Sequence, residues 1–240
     1  MSQKAALVTG ASSGIGEAIA HTLGEEGFAL TVSGRRAEKL EEAAAKLRER
    51  GFEVHAVAGN MANEEDLVNV FAEHKAKYGR LDVLVNNAGV GIGSAVGEYS
   101  GKQIDMQMDV NFKAVVLGYR EGVGMLREAA AEHKSALVVN TSSISGKFGQ
   151  GWLSVYSATK HAVVGFTQAM NKELSGEGIK STALCPAFVD TPMTEFAKAH
   201  VPADEMMVPQ DIAEGVRMLL KQSPACIVPE IIFQRPGEDL

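Results

Sequence analysis

Tyr156 and Lys160 lie four residues apart in Val155-Tyr156-Ser157-Ala158-Thr159-Lys160, so on a helix the phenol and the ammonium share one face. A free tyrosine titrates near pH ~10, too high for efficient acid–base work at neutrality. A neighbouring cation and a nearby helix start both favour the phenolate. Taken alone, Tyr-x-x-x-Lys is a common surface pair. Here it is not alone, because Asn140-Thr141-Ser142-Ser143 closes a strand-like run and Ser143 precedes Tyr156 by 13 residues.

A second group opens the chain. Thr9-Gly10-Ala11-Ser12-Ser13-Gly14-Ile15-Gly16 follows an apolar run and begins a helical stretch. Glycines at this spacing permit a tight turn and let a diphosphate approach the backbone, while free N–H groups at the helix start face the anion. A tight turn can also need glycine for structural reasons alone. The spacing G-x-x-x-G-x-G differs from the commoner dinucleotide fingerprint G-x-G-x-x-G.

Together, T-G-x-x-x-G-x-G, Asn86-Asn87-Ala88-Gly89 and Ser143 followed by Tyr156-x-x-x-Lys160 resemble the short-chain dehydrogenase/reductase family, and the resemblance covers essentially the whole chain. It implies that Ser143 orients and polarises a substrate oxygen and that Tyr156 donates or removes its proton. Lys160 would bind the nicotinamide ribose and lower the tyrosine pKa. Asn111, in Met108-Asp109-Val110-Asn111, matches the helix asparagine that holds a water feeding the proton relay. As a plain polar residue it would only bend its helix. Asn87, Ala88 and Gly89 would support the sheet and lie against the adenine ribose. After Pro186, Val189 would donate a backbone N–H and Thr191 would contact the carboxamide.

Three positions depart from or refine that pattern. The second strand ends at Ser33-Gly34-Arg35-Arg36, where an acid would accept from the 2′-hydroxyl of NAD(H). Gly34 occupies that place, 18 residues after Gly16, and two guanidinium forks suited to a phosphate dianion follow it. NADP(H) is therefore expected over NAD(H), with Arg35 the main contact and Arg36 and Ser12 in support. At Gly59-Asn60-Met61, Asn60 replaces the usual aspartate, and its side-chain carbonyl can still accept from the adenine. Ala187 replaces the usual glycine after Pro186, which is expected to restrict that turn.

These residues must be held by a scaffold. Strand-like runs at Ala5–Thr9, Phe28–Ser33, Glu53–Ala58, Val83–Asn86, Ala136–Thr141, Ser181–Leu184 and Ile227–Phe233 alternate with stretches at helical period. The helices expected are Gly14–Glu26, Ala37–Arg50, Glu64–Tyr78, a long one over Gln103–His133, Leu153–Leu174 and Pro209–Lys221. Such alternation predicts an α/β fold: a single Rossmann-type, doubly wound parallel sheet of about seven strands with helices on both faces. No linker divides residues 1–240, so one dinucleotide-binding and catalytic domain is expected, with residues 191–208 as a substrate lid.

Composition is that of an ordinary soluble globular protein, 45% hydrophobic and 22% charged. A net charge of -7 points away from nucleic acid and anionic membranes. The first strand-like run begins near Lys4, leaving no room for a signal peptide, and no apolar stretch reaches a membrane span, so the cytoplasm is expected. Cys185 and Cys226 read as buried apolar residues. The histidines at 21, 55, 74, 133, 161 and 200 show no metal-ligand spacing, and none is expected to bind metal.

Substrate choice falls to Val90–Ser94, Phe148–Leu153 and above all Thr191–Val208, which carries Pro192, Met193, Phe196, Pro202, Met206 and Met207. These apolar residues suit a moderately hydrophobic carbonyl or alcohol, or else simply pack on the core. A homodimer or homotetramer through the Gln103–His133 and Leu153–Leu174 helices is what the resemblance implies. The tail Ile227–Leu240 lacks the Gly-Gly ending common in the family, so a different C-terminal contact is expected. A non-catalytic NADP(H) sensor and a cofactor-retaining isomerase or epimerase are the rival readings.

Overall fold

The computed structural model describes residues 3–199 and 201–237. Residue 200 of the expected lid and residues 238–240 of the expected tail lie outside the described residues. Seven strands form one sheet: β1 (Ala5–Thr9), β2 (Ala29–Gly34), β3 (Val54–Ala58), β4 (Val83–Asn86), β5 (Ala136–Thr141), β6 (Ile179–Pro186) and β7 (Glu230–Phe233). Their order is β3-β2-β1-β4-β5-β6-β7, and every pair is parallel. The chain winds outward from β1 to β3, then returns to the middle at β4 and winds the other way. That reversal, between β1 and β4, opens a crevice beyond the strands' carboxyl ends.

The helices are α1 (Gly14–Glu25), α2 (Ala37–Glu49), α3 (Glu64–Tyr78), α4 (Gly101–Met108), α5 (Ala114–His133), α6 (Ser154–Leu174) and α7 (Pro209–Leu220). α2 shows why its sequence folds this way. Leu40, Ala43, Ala44 and Leu47 recur at helical spacing and are buried, while its Glu and Lys residues face water. α3 is framed by local signals: the Asn63 side chain accepts from the Asp66 N–H, acids fill the first turn, and Gly79 ends the helix at φ 66°.

Helices on both faces seal the sheet, so β1 and all eight residues of β6 are buried, and both strands read as mainly apolar runs rather than clean alternations. Within β1, Ala6 and Val8 face a core completed by Ile19 and Leu23 of α1, Leu40 and Leu47 of α2, and Ile212 and Val216 of α7. Leu7 faces the opposite core, with Leu67 and Phe71 of α3, Leu126 of α5, and Val163 and Met170 of α6.

Three expectations about elements need correction. The long helix over Gln103–His133 is not continuous: a π-helical turn at Asp109–Lys113 separates α4 from α5. The last strand is shorter than expected, beginning at Glu230 rather than Ile227, and β6 is longer at both ends. Among the described residues, no helix is long and apolar enough to cross a membrane.

Candidate active site

β1 delivers the chain into the glycine loop. Gly10 (φ 66°) and Gly14 (φ 59°) adopt left-handed backbone, which only glycine reaches cheaply. Gly16 is required for a different reason: a Cβ there would stand 2.3 Å from the Gly10 carbonyl oxygen and 2.4 Å from Asn87 Nδ2. At the helix N-cap, Ser13 makes no side-chain bond to the first turn of α1. That start therefore presents backbone donors and the positive end of the dipole to the cleft.

The loop is braced from β4. Thr9 Oγ1 accepts from the N–H groups of Asn87 (3.0 Å) and Ala88 (3.1 Å). Asn87 Nδ2 donates to the carbonyls of Thr9 and Gly10 at 3.1 and 3.2 Å, and its Oδ1 accepts from Thr141 Oγ1 at 3.1 Å. One amide thus ties the ends of β1, β4 and β5 together. Sequence reasoning found Asn87 but gave the hydroxyls of Thr9 and Thr141 no role, since they became informative only once three strands were neighbours.

A cleft of about 640 Å³ runs across these strand ends. Its walls include Gly10, Ser12, Ser13, Gly14 and Ile15 from the glycine loop. Arg35, Arg36, Asn60 and Met61 stand beyond β2 and β3, and Asn87, Ala88 and Gly89 beyond β4. Ser143, Tyr156, Lys160, Pro186, Val189 and Thr191 complete the set of expected residues that it brings together. Gly16 and Asn111 do not line it.

Arg35 and Arg36 are exposed, and Ser12 lies against Gly34, where a Cβ would approach Ser12 Oγ to 3.2 Å. Among the described residues no carboxylate pairs with either arginine. Asn60 is partly spoken for, since its Oδ1 accepts from the Ala62 N–H at 3.2 Å. Asp66 Oδ2 in turn accepts from the Asn60 backbone N–H at 2.9 Å. Only the second lone pair of that amide oxygen is available for an adenine.

At the other end, β5 and α6 converge. Ser143 Oγ accepts from the Ser145 N–H at 3.1 Å and makes a long, weak bond of 3.5 Å to the Pro186 carbonyl. Lys160, 3% exposed, donates from Nζ to the Thr141 carbonyl at 2.8 Å and stands 5.5 Å from the centre of the Tyr156 ring. Burial pulls the Lys160 pKa down to about 8.

The acidity expected of Tyr156 is reversed. Its pKa is raised, because withdrawal from solvent outweighs the lowering effect of a hydrogen bond with Ser143. Lys160 sits over the ring face rather than pairing with the phenol oxygen. The protein thus favours the neutral phenol.

Asn111 is buried and fully engaged by its side chain. Within the π turn, its Oδ1 accepts from the Val90 N–H at 2.8 Å, and its Nδ2 donates to the Val90 carbonyl (2.9 Å) and Thr159 Oγ1 (3.1 Å). The side chain clamps the loop after β4 onto α6. Ala187 takes no left-handed backbone, and its N–H continues the ladder to the Phe233 carbonyl at 2.9 Å, so alanine is accommodated without strain. His161 Nδ1 lies 2.9 Å from the carbonyl of Ser157 one turn earlier, and no metal-binding cluster occurs among the described residues.

Residues 4–202 match the short chain dehydrogenase family, and the chain belongs to it. An uncharacterized oxidoreductase of Staphylococcus aureus (strain USA300) is 36% identical over 232 residues, 96% of each chain. Among solved structures, an alcohol dehydrogenase from the archaeon Thermococcus sibiricus, complexed with 5-hydroxy-NADP, superposes with a TM-score of 0.87 at 29% identity, covering 98% of this chain and 97% of that one. Actinorhodin polyketide ketoreductase with NADPH gives 0.86 at 32% identity over 97% of both. The protein is an oxidoreductase of this family, whose members use NAD(P)(H) and small-molecule substrates.

Proposed function

We propose that this protein interconverts a carbonyl compound and its alcohol with NADP(H), using Tyr156 as the acid–base group. The observation that carries the reading is the convergence of Ser143, Tyr156 and Lys160 on one cleft that begins at the uncapped glycine loop. When bound, NADP(H) supplies or takes up the hydride. The loop Gly10–Gly16 would hold the diphosphate on backbone donors, and Arg35, aided by Arg36 and Ser12, would hold the 2′-phosphate. Neighbouring structures solved with NADPH or a modified NADP support this preference.

In the reductive direction, Tyr156 gives its hydroxyl proton to the substrate oxygen. The raised phenol pKa keeps that proton in place until a better acceptor develops. Ser143, whose 3.5 Å bond to Pro186 is easily exchanged, turns its hydroxyl to the same oxygen. Lys160, fixed by the Thr141 carbonyl, holds the nicotinamide ribose and sets the Tyr156 ring. Residues 1–240 act as one catalytic domain with residues 191–208 as its lid. A cytoplasmic homodimer or homotetramer is in keeping with the partly exposed Ile104 and Met108 on α4.

The test follows NADPH absorbance against ketones, aldehydes, 3-ketoacyl thioesters and sugars, with Tyr156→Phe as control. Turnover in the wild type and its loss in a variant that still binds NADPH support the reading. Cofactor binding without turnover of any carbonyl overturns it in favour of a sensor.

A further inference from the structure

The cleft is not uniform. Its charged wall residues are Arg35 and Arg36, beyond β2, and Lys160 on the floor. Around the loops before α6 and after β6 the walls are apolar, with Ile92, Trp152, Leu153, Met193 and Phe196.

Two of these side chains are unusual in how they are held. Trp152 is 58% exposed and Phe196 56%, and their ring centroids are 6.3 Å apart at an interplanar angle of 56°. Trp152 also has φ 65°, a backbone conformation costly for a bulky residue. The surroundings enforce it. The Trp152 carbonyl accepts from the Ser94 N–H at 2.8 Å and the Tyr99 hydroxyl at 3.2 Å. Gly93 leaves room for the indole, since a Cβ there would come within 2.2 Å of the ring. Backbone strain and a residue without a side chain are together spent on presenting one large aromatic surface to the cleft.

We propose that Trp152 and Phe196 form an aromatic grip selecting an uncharged, flat substrate, an aryl or fused-ring ketone and the matching alcohol. This rests on the reading of the cleft as a carbonyl–alcohol site. Two rings at this spacing offer stacking and edge contacts to a third, and the cation lining this end, Lys160, is buried and held by the Thr141 carbonyl. On reduction the carbonyl carbon gains hydride and the oxygen gains the Tyr156 proton, leaving a neutral secondary alcohol.

The experiment compares acetophenone with cyclohexyl methyl ketone, similar in size but differing in ring character, under NADPH. The aryl ketone is expected to show a kcat/KM about 3- to 10-fold higher, the usual worth of an aromatic pair. Trp152 is the only tryptophan, so its fluorescence gives a second readout. Acetophenone added with NADP⁺, where no reduction occurs, is expected to quench it saturably, and the cyclohexyl analogue much less. Trp152→Asn, which tolerates left-handed backbone, and Phe196→Leu, which has no such demand, should each bring the ratio near one while NADPH affinity is kept. 4-Acetylbenzoate should be at least about tenfold poorer than acetophenone. Turnover of both neutral ketones without preference, or a preference unchanged in both variants, overturns the grip and leaves the proposed activity standing. Absence of turnover with every carbonyl of the wider panel overturns both.

Discussion

The two ends of the sheet hold similar polar groups and use them in opposite ways. At the amino ends of the strands, Asp82, 4% exposed, accepts from the Ala5 N–H at 2.8 Å and pairs with Arg80 through two bonds of 2.7 and 2.8 Å. Arg80 also meets Glu132 at 3.1 Å, and its carbonyl lies 2.8 Å from Nε2 of the fully buried His74. At the carboxyl ends, Ser13 leaves a helix start uncapped, the Ser143 hydroxyl makes only a long bond to the Pro186 carbonyl, and Arg35 and Arg36 stand exposed. One end closes its polar groups on each other and is structural. The other leaves them open to a cleft, where chemistry can occur.

The sharpest way to break this contrast is Tyr156→Phe. It is expected to lower kcat for carbonyl reduction by about 10²- to 10⁴-fold with little change in melting temperature, checked by NADPH kinetics and thermal unfolding. Asp82→Ala should do the reverse. Removing one member of a buried pair costs about 3–5 kcal/mol of stability, measurable by urea denaturation, while the Kd for NADPH in the folded protein is kept.

His74 sharpens the comparison by pH. Burial lowers its pKa from 6.5 to about 4, so the unfolded chain binds a proton more readily than the folded one between these values. Stability is therefore full above about pH 6.5 and falls as the pH drops toward 4, by on the order of 3 kcal/mol. In His74→Gln that part of the slope should vanish from a series of urea melts. The smallest effect is expected at Arg35. Arg35→Ala should weaken NADPH binding by about 1–3 kcal/mol, the worth of a charged hydrogen bond, and leave NADH binding nearly unchanged in a titration of both.

Much of the scaffold was legible because buried parallel strands write themselves as short apolar runs. β1, β4 and β5, and helix α3, have the bounds that the sequence suggested. The interruption at Asp109–Lys113 was not legible, since Asn111 answers to Val90, 21 residues away, and helical period carries no trace of that partner. The glycine loop and the serine, tyrosine and lysine were visible as spacing. The direction of the Tyr156 pKa was not, because it depends on how completely α6 and its surroundings exclude water. Trp152 passed as one apolar residue of a loop, and its left-handed backbone follows from Ser94 and Tyr99, which local sequence does not connect to it.

The segment after β6 leaves and rejoins the body at one narrow neck. Val189 bridges Met207, the Asp190 N–H donates to the Met207 carbonyl at 2.8 Å, and the Met207 N–H donates to the Phe188 carbonyl at 3.1 Å. Everything threaded through that neck, Phe196 included, is a cassette whose two cut points already touch. On the proposed reading, grafting a relative's segment of another length there is expected to alter substrate choice through the Phe196 side of the cleft without moving a strand.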